Sequence, residues 1–506
     1  MFRAALLMAA SLGVGAAASA SGMQAHAGAP APAPAAVSVP IPVSGNDRVY
    51  TADQTSNTVT VIDPSTNTAL GTIALGDQRL GGTLSPQYLG DVGVHGLAVS
   101  PDHHRLAVVS VTTDTVDIVD TATNKVVSRT DVGRASHEGS FTADGRQFWV
   151  ADRGRDTVTV VDAVHGGVIT NLPVGQGPSK VVMSPDGKWA YVNHISLPEV
   201  TVVNVASRKV VDRITGLGDA FSSDEAISPD GRELWAAHKR AGKVSVIDLV
   251  HRRVTGVIAT GPDTNHPQFV DNATGSYAYL TVGGLDQTWV YRRTGGVPAL
   301  VTKIDNHGHA PHGMWPSGDG TRLYVGLEKS DAVDVIDTAA NTVTDTIKIG
   351  QEPQAVVYVP RAAPAGDASN LGRQGLNQGA GDIATVLPDG TAGDALDPVR
   401  GRTLEATVRP VNGLSMIQLQ ARNLQPGTTY QAYSDEAGGR QDAIVSFTTD
   451  ANGNAPMVLA FSAFDGRSIS IAVKGAAPAR GAAAPLDGMH AGNAVSAADL
   501  VYCDCC

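Results

Sequence analysis

Three histidines fall within six residues of the stretch DNHGHAPHGMWPSGDG, at His307, His309 and His312. Histidine supplies only 14 of the 506 residues, so the cluster calls for a reason. Imidazole is the side chain whose charge changes near neutral pH, and it is the commonest protein ligand for copper, zinc, iron and nickel. Whether three neighbouring imidazoles form part of a site depends on where the fold carries the other eleven.

The chain repeats itself. VHGLAVSPDHHRLAVVSVTTDTVDIVDTATNKVVSRTDVG occupies residues 94–133, SHEGSFTADGRQFWVADRGRDTVTVVDAVHGGVITNLPVG residues 136–175, and a third copy residues 177–218; further copies begin near Ser223, His266 and Pro311. Each unit of about 40 residues contains four short β-rich runs, A to D, separated by an SPDG-type turn, a small polar turn and a VID-x-x-x-N-x-V hairpin, which is the pattern of a propeller blade. Residues 48–76 hold runs B to D without an A, and EPQAVVYVP at residues 352–360 holds an A alone. Joined, they form a blade that closes the ring (blade 1) with the six complete units as blades 2 to 7. The aspartates of SPDG (Asp102, Asp186, Asp230) and of VID (Asp63, Asp248, Asp337) read as turn formers whose carboxylates bond nearby N–H groups.

This repeat gives the histidines a register. Five residues before the SPDG serine stand His95, His137, Ser179, Ser223, His266 and His312, with Gln354 in the closing blade. At their frequency in this chain, seven positions would hold about 0.2 histidines; they hold four. At the end of run B, the blades with Ser179 and Ser223 carry His194 and His238. The start of A and the end of B share one rim of the ring, so blades 2 to 7 are each expected to bring one histidine to one mouth of the channel, with His307 and His309 in the loop entering blade 7. His103, His104, His165 and His251 map to the opposite rim or outer edge. Imidazoles gathered this way repel if protonated and are held neutral by a shared metal ion. A transition metal is therefore expected on His95, His137, His194, His238, His266, His307, His309 and His312: copper first, then iron or zinc. These are too many ligands for one tetrahedral ion. Asp53 and Asp152 are candidate partners for the ring N–H groups.

VYTADQTSNTVTVIDPSTNTALGTIALG and SPDGKWAYVN resemble the YVTN family of seven-bladed propellers over residues 47–360. That resemblance implies the fold and says little about chemistry. The histidine placement is similar to that of the propeller domain of nitrous oxide reductase, which holds a histidine-bound copper cluster at its mouth. The carotenoid-cleaving oxygenases likewise hold iron on four axial histidines. The chain departs from the first family in its C-terminal domain, where residues 402–474 contain neither Cys nor His. The resemblance therefore carries the histidine placement and not nitrous oxide reduction.

The remaining sequence sets the context. Residues 1–27, with Arg3, an apolar run and small residues at Ala18-Ser19-Ala20, read as a secretory signal; residues 28–46 are a Pro/Ala-rich linker. Residues 361–401 form a Gly/Ala/Pro-rich linker, residues 402–474 alternate as a small β-sandwich, and residues 475–506 read as a disordered tail ending in Cys503, Cys505 and Cys506. The fold class is all-β, a seven-bladed propeller followed by a sandwich. A net charge of −12 without basic blocks argues against nucleic acid, and no run of 18 apolar residues offers a transmembrane segment. Phosphate loops, Gly-x-Gly-x-x-Gly, His-Glu-x-x-His and Gly-x-Ser-x-Gly motifs are lacking. The expectation is an exported, periplasmic or surface monomer in one of two roles. It is a metalloprotein, potentially an oxidoreductase with a redox partner and with residues 77–93 roofing the site. Otherwise it is a non-catalytic propeller that binds a protein or other ligand at its mouth, where Trp315 stands beside the rim.

Overall fold

The structure, a computed structural model, describes residues 41–77, 92–363, 368–376, 381–382, 384–388, 402–411, 414–436, 440–464, 466 and 468–476. The expected signal segment, most of the roofing loop (residues 78–91) and the cysteine tail lie outside the described residues. Among the described residues no helix is long and apolar enough to cross a membrane.

Seven four-stranded antiparallel sheets form the propeller. Their innermost A strands are Pro353–Val359 in blade 1, then Val94–Val99, Ser136–Phe141, Pro178–Met183, Asp224–Ile227, Thr264–Asn272 and Pro311–Pro316 in blades 2 to 7. Blade 1 is closed by the two ends of the repeat: Pro353–Val359 pairs antiparallel with Arg48–Asp53. The turns follow from local chemistry. Ser184 Oγ donates to Asp186 Oδ1 at 2.7 Å and Ser228 Oγ to Asp230 Oδ1 at 2.6 Å, pinning the A–B turns. In the C–D hairpins Asp248 and Asp337 accept from the N–H of Val250 and Ala339. Asn67, Asn124 and Asn341 take the left-handed conformation that asparagine tolerates.

What holds blade to blade is apolar. Each of the seven seams has its own cluster contributed by both neighbours, such as Phe141, Phe148 and Ile118 between blades 2 and 3, or Trp235, Phe269 and Tyr291 between blades 5 and 6. Trp315, half-buried, packs with the seams of blade 1 as an inter-blade residue.

The second unit is a sandwich of two four-stranded sheets over one core that includes Leu404, Val408, Ile417, Tyr430, Phe447 and Ile471. It begins earlier than the sequence suggested. Gly381–Asp382 and Ala384–Val386, inside the expected linker, add a strand to each sheet, the second parallel to Ser468–Val473. Another part of that linker lies along blade 1, where Gly372 bridges to Thr72.

The sandwich docks on the histidine rim. Along Thr403–Val411 and Leu414–Arg422, one set of alternating residues enters the sandwich core while the other meets the propeller. On that second face the fully buried Arg409 donates to Asp331 Oδ1 at 2.8 Å, to the Glu328 carbonyl and to Gln418. Gln418 Nε2 donates to Glu352 Oε1 at 2.7 Å, Arg422 pairs with Asp263, and Lys329 pairs with Glu405 at 2.9 Å. These partners belong to blades 6, 7 and 1. The seam leaves a cavity of only about 30 Å³, lined in part by His312, Glu328 and Gln418.

Candidate metal centre

A β-bulge positions the ligands. The pairing of A with B slips between Val94 and Gly96, Ser136 and Gly139, Pro178 and Val181, Thr264 and Pro267, and Pro311 and Met314. Each slip contains the histidine or serine of the register. Bulges re-aim side chains and are frequent beside active sites. Glycine follows the histidine where the next A strand crowds in. A Cβ at Gly96 would overlap the His137 carbonyl oxygen, and one at Gly313 would overlap that of Gln354.

Four histidines come together. His95 Nε2 and His137 Nε2 lie 2.8 Å apart, and their ring centroids are 4.4 Å apart. The His266 and His312 centroids are 4.6 Å apart, and His95 and His312 are 6.4 Å apart edge to face. All four are buried. Each Nδ1 is tied back. His95 meets Gln54 Oε1 at 2.9 Å, His137 the Ser179 carbonyl at 3.0 Å, His312 the Gln354 carbonyl at 2.7 Å, and His266 the Asp224 carboxylate at 3.1 Å. Carbonyl oxygens only accept, so His137 and His312 carry their proton on Nδ1 and turn an Nε2 lone pair toward the cluster. Burial pushes the His95, His137 and His312 rings well below the usual imidazole range, and the Arg153 charge reinforces this for the first two. They stand as neutral bases, the form that binds a metal.

The other four expected ligands lie elsewhere. His194 spends Nδ1 on the Gln176 carbonyl and Nε2 on Thr201 Oγ1 at 2.9 Å; His238 spends Nδ1 on the Phe221 carbonyl and Nε2 on Ser245 Oγ at 2.7 Å. With both nitrogens engaged, these rings brace strand B to strand C inside their own blades. Asp53 and Asp152 occupy the same position and do the same, accepting from Thr60 at 2.6 Å and from Thr159 at 2.5 Å, so they orient no histidine of the cluster. His307 and His309 are exposed, with His309 Nδ1 2.8 Å from Asp286. Of the three histidines in the loop, His312 alone joins the cluster. His165 and His251 are exposed beside Asp162 and Asp248 in outer hairpins.

Charged residues one position beyond the register complete the site. Lys180 Nζ stands 2.8 Å from both Glu138 Oε2 and Asp224 Oδ2, and Asp224 also holds His266. Burial opposes the Lys180 charge, but Asp224 and Glu138 hold it above the usual lysine range. Burial likewise opposes the Asp224 charge, and His266 and Lys180 overcome it, bringing that carboxyl to about 2. Ligand atoms of His95, His137 and Glu138 lie within 4.8 Å of one another, as do those of Glu138, Asp224 and His266. Glu138 Oε1 is buried without a hydrogen-bond partner. Next along blade 5, burial and the Asp224 charge push the Glu225 carboxyl well above its ordinary range, against Lys180 and the Asn193 N–H. The alignment that finds the histidines also holds Glu138, Lys180 and Asp224, one letter later in three consecutive blades. A charged residue on an innermost strand is the signal that would have found them.

Comparison with known proteins agrees on the fold. Residues 112–356 match the family model for a lactonase, a seven-bladed β-propeller. No curated protein matches the chain by sequence. A protein of unknown function from Desulfotomaculum acetoxidans is similar at 13% identity and a TM-score of 0.52, over 61% of this chain and 98% of its own. The periplasmic gluconolactonase of Pseudomonas aeruginosa is similar at 16% identity and a TM-score of 0.50, over 62% of this chain and 99% of its own. Hydrazine synthase of Kuenenia stuttgartiensis reaches 22% identity and a TM-score of 0.47, over 53% of this chain and 89% of its own. At these identities the likeness is one of fold.

Proposed function

We propose that this chain is an exported transition-metal protein, acting as an oxidoreductase, whose ion is held by the four A-strand histidines in the propeller mouth. The observation that carries this reading is the 2.8 Å approach of the His95 and His137 Nε2 atoms. With Nδ1–H donated to the Ser179 carbonyl by His137 and to Gln54 Oε1 by His95, two lone pairs would face each other in a buried site. A metal ion bound by both nitrogens relieves that contact, as does a proton shared between the rings, and the proposal is the metal. The orphaned Glu138 Oε1 fits the same role, as an oxygen ligand beside the two nitrogens. Lys180 pairs with both Glu138 and Asp224 and offsets one of their two charges, whereas among the described residues no cation faces the His95 and His137 Nε2 atoms. An all-imidazole set suits copper, whereas two histidines with Glu138 form the histidine–carboxylate set that suits iron. The alternative of a partner-binding propeller has less support, because the sandwich occupies the rim over blades 6, 7 and 1.

Copper(II) titration by calorimetry tests this, using chain in which Cys503, Cys505 and Cys506 are replaced by Ser. Tight binding of about one ion, weakened at least tenfold in His95→Gln and in His137→Gln, is expected. A folded protein that takes up neither copper nor iron would leave the two rings sharing a proton and would remove the metal reading.

A further inference from the structure

The channel beneath the imidazoles extends well beyond the proposed metal centre and shares Glu138 and His266 with it. Between the cluster and the A–B turns, residues from the A strands of all seven blades enclose a cavity of about 260 Å³, the room of about nine water molecules. Most of its wall is apolar, including Leu97, Val99, Phe141, Met183, Met314 and Trp315. One end is polar, with Glu138, Lys180, Glu225 and His266.

That end is short of hydrogen-bond donors. Glu225 is fully buried; the Asn193 N–H lies near its carboxyl group, but neither oxygen completes a hydrogen bond of normal geometry. The other partnerless buried polar atom on this wall is Glu138 Oε1, and behind it Asp224 Oδ1 is also unpartnered. Every one is a carboxyl oxygen. Lys180, the basic side chain on the wall besides His266, directs its charge to Glu138 and Asp224, so an anionic ligand meets no cation there. Two carboxylates and one ammonium leave a negative balance before Glu225 is considered. Unmet buried acceptors cost free energy, so a ligand rich in N–H donors gains by supplying them.

We infer that this chamber binds a small organic ammonium ion, a primary amine with a short apolar tail, its nitrogen donating to Glu225 and its tail lying along Met314 and Trp315. An alkylammonium offers three donors on a compact charge. The chamber shares Glu138 and His266 with the proposed metal centre, so its test uses metal-free protein, in which neither side chain holds an ion.

The experiment is calorimetry on the full chain, stripped with chelator and dialysed, against n-butylamine and benzylamine. Benzyl alcohol, benzoate and δ-valerolactone serve as shape-matched comparators. Expected is amine binding at least tenfold tighter than the alcohol, no benzoate binding, and a loss of tenfold or more in amine affinity in Glu225→Gln. Equal or tighter binding of the alcohol or the lactone would overturn the inference. So would the absence of amine binding at about 10 mM, a concentration that detects even millimolar sites. The comparison among ligands on the unmodified chain decides the matter even where Glu225→Gln fails to fold. A positive amine result alongside no metal uptake would retire the metal reading alone.

Discussion

Arg409 is the bolt between sandwich and propeller, and its removal has a calculable consequence. Its side chain is fully buried against the equally buried Asp331, at 2.8 Å, and it also reaches the Glu328 carbonyl and Gln418. Arg409→Met keeps most of the stem but strands the buried Asp331 carboxylate without its cation. Breaking one side of a buried pair costs about 3–5 kcal/mol, which lowers the docked-to-undocked ratio by about two to three and a half orders of magnitude. The double variant Arg409→Met/Asp331→Asn strands no charge. Its side-chain amide oxygen can still accept the Glu352 N–H that Asp331 Oδ1 accepts in the unmodified chain, so the cost should fall to about 1 kcal/mol. Hydroxyl-radical footprinting of the buried Met416 and His312 side chains, which lie at the seam, reads docking directly. Expected is rapid oxidation at the seam in the single variant and near wild-type protection in the double. Unchanged protection in Arg409→Met, or a double variant as exposed as the single, would refute the account of the seam.

Other consequences concern the ring itself. Burial holds His194 and His238 below the usual imidazole range. On acidification through the unfolded value near 6.5, the unfolded chain therefore takes up protons that the folded chain refuses. Their contribution to stability is full above pH 6.5 and is progressively lost as the pH falls below it. Urea midpoints at three pH values should show an acid limb that His194→Asn/His238→Asn flattens; an unchanged limb contradicts the assignment. Lys180→Met leaves Glu138 and Asp224 buried without their cation and should cost about 3–5 kcal/mol in urea unfolding. Adding Glu138→Gln and Asp224→Asn should recover most of it, and no recovery would show that Lys180 acts by packing. Gly139→Ala places a methyl group against the backbone carbonyl of Trp149; backbone cannot turn aside, so a loss of about 1–3 kcal/mol is expected, and a neutral substitution would sink the close-packing argument.

The propeller was legible because the blades repeat their turn chemistry, down to the Asn that takes a left-handed φ in three of them. Half of the histidine set was legible as well, since the A-strand register brings His95, His137, His266 and His312 to one place. The B-strand pair, His194 and His238, was misleading for a local reason that the sequence also contains, and His307 and His309 stay in the exposed entering loop. Seven residues after Asp53, Asp152, His194 and His238 stand Thr60, Thr159, Thr201 and Ser245, and these hydroxyls take up the side chain before it reaches the channel. The docking face of the sandwich was not legible. Arg409, Gln418, Gln420 and Arg422 alternate with core residues and so read as solvent-facing. Only the three-dimensional placement of the rim of blades 6, 7 and 1 gives them partners.

The most direct measurement is metal content, by inductively coupled plasma mass spectrometry. It would be made on exported, full-length protein with Ser at the three cysteine positions, wild type against two histidine pairs. The account predicts close to one copper or iron per chain, lost in His95→Gln/His137→Gln and kept in His194→Asn/His238→Asn. A folded wild type without metal, or equal retention in both pairs, would contradict it.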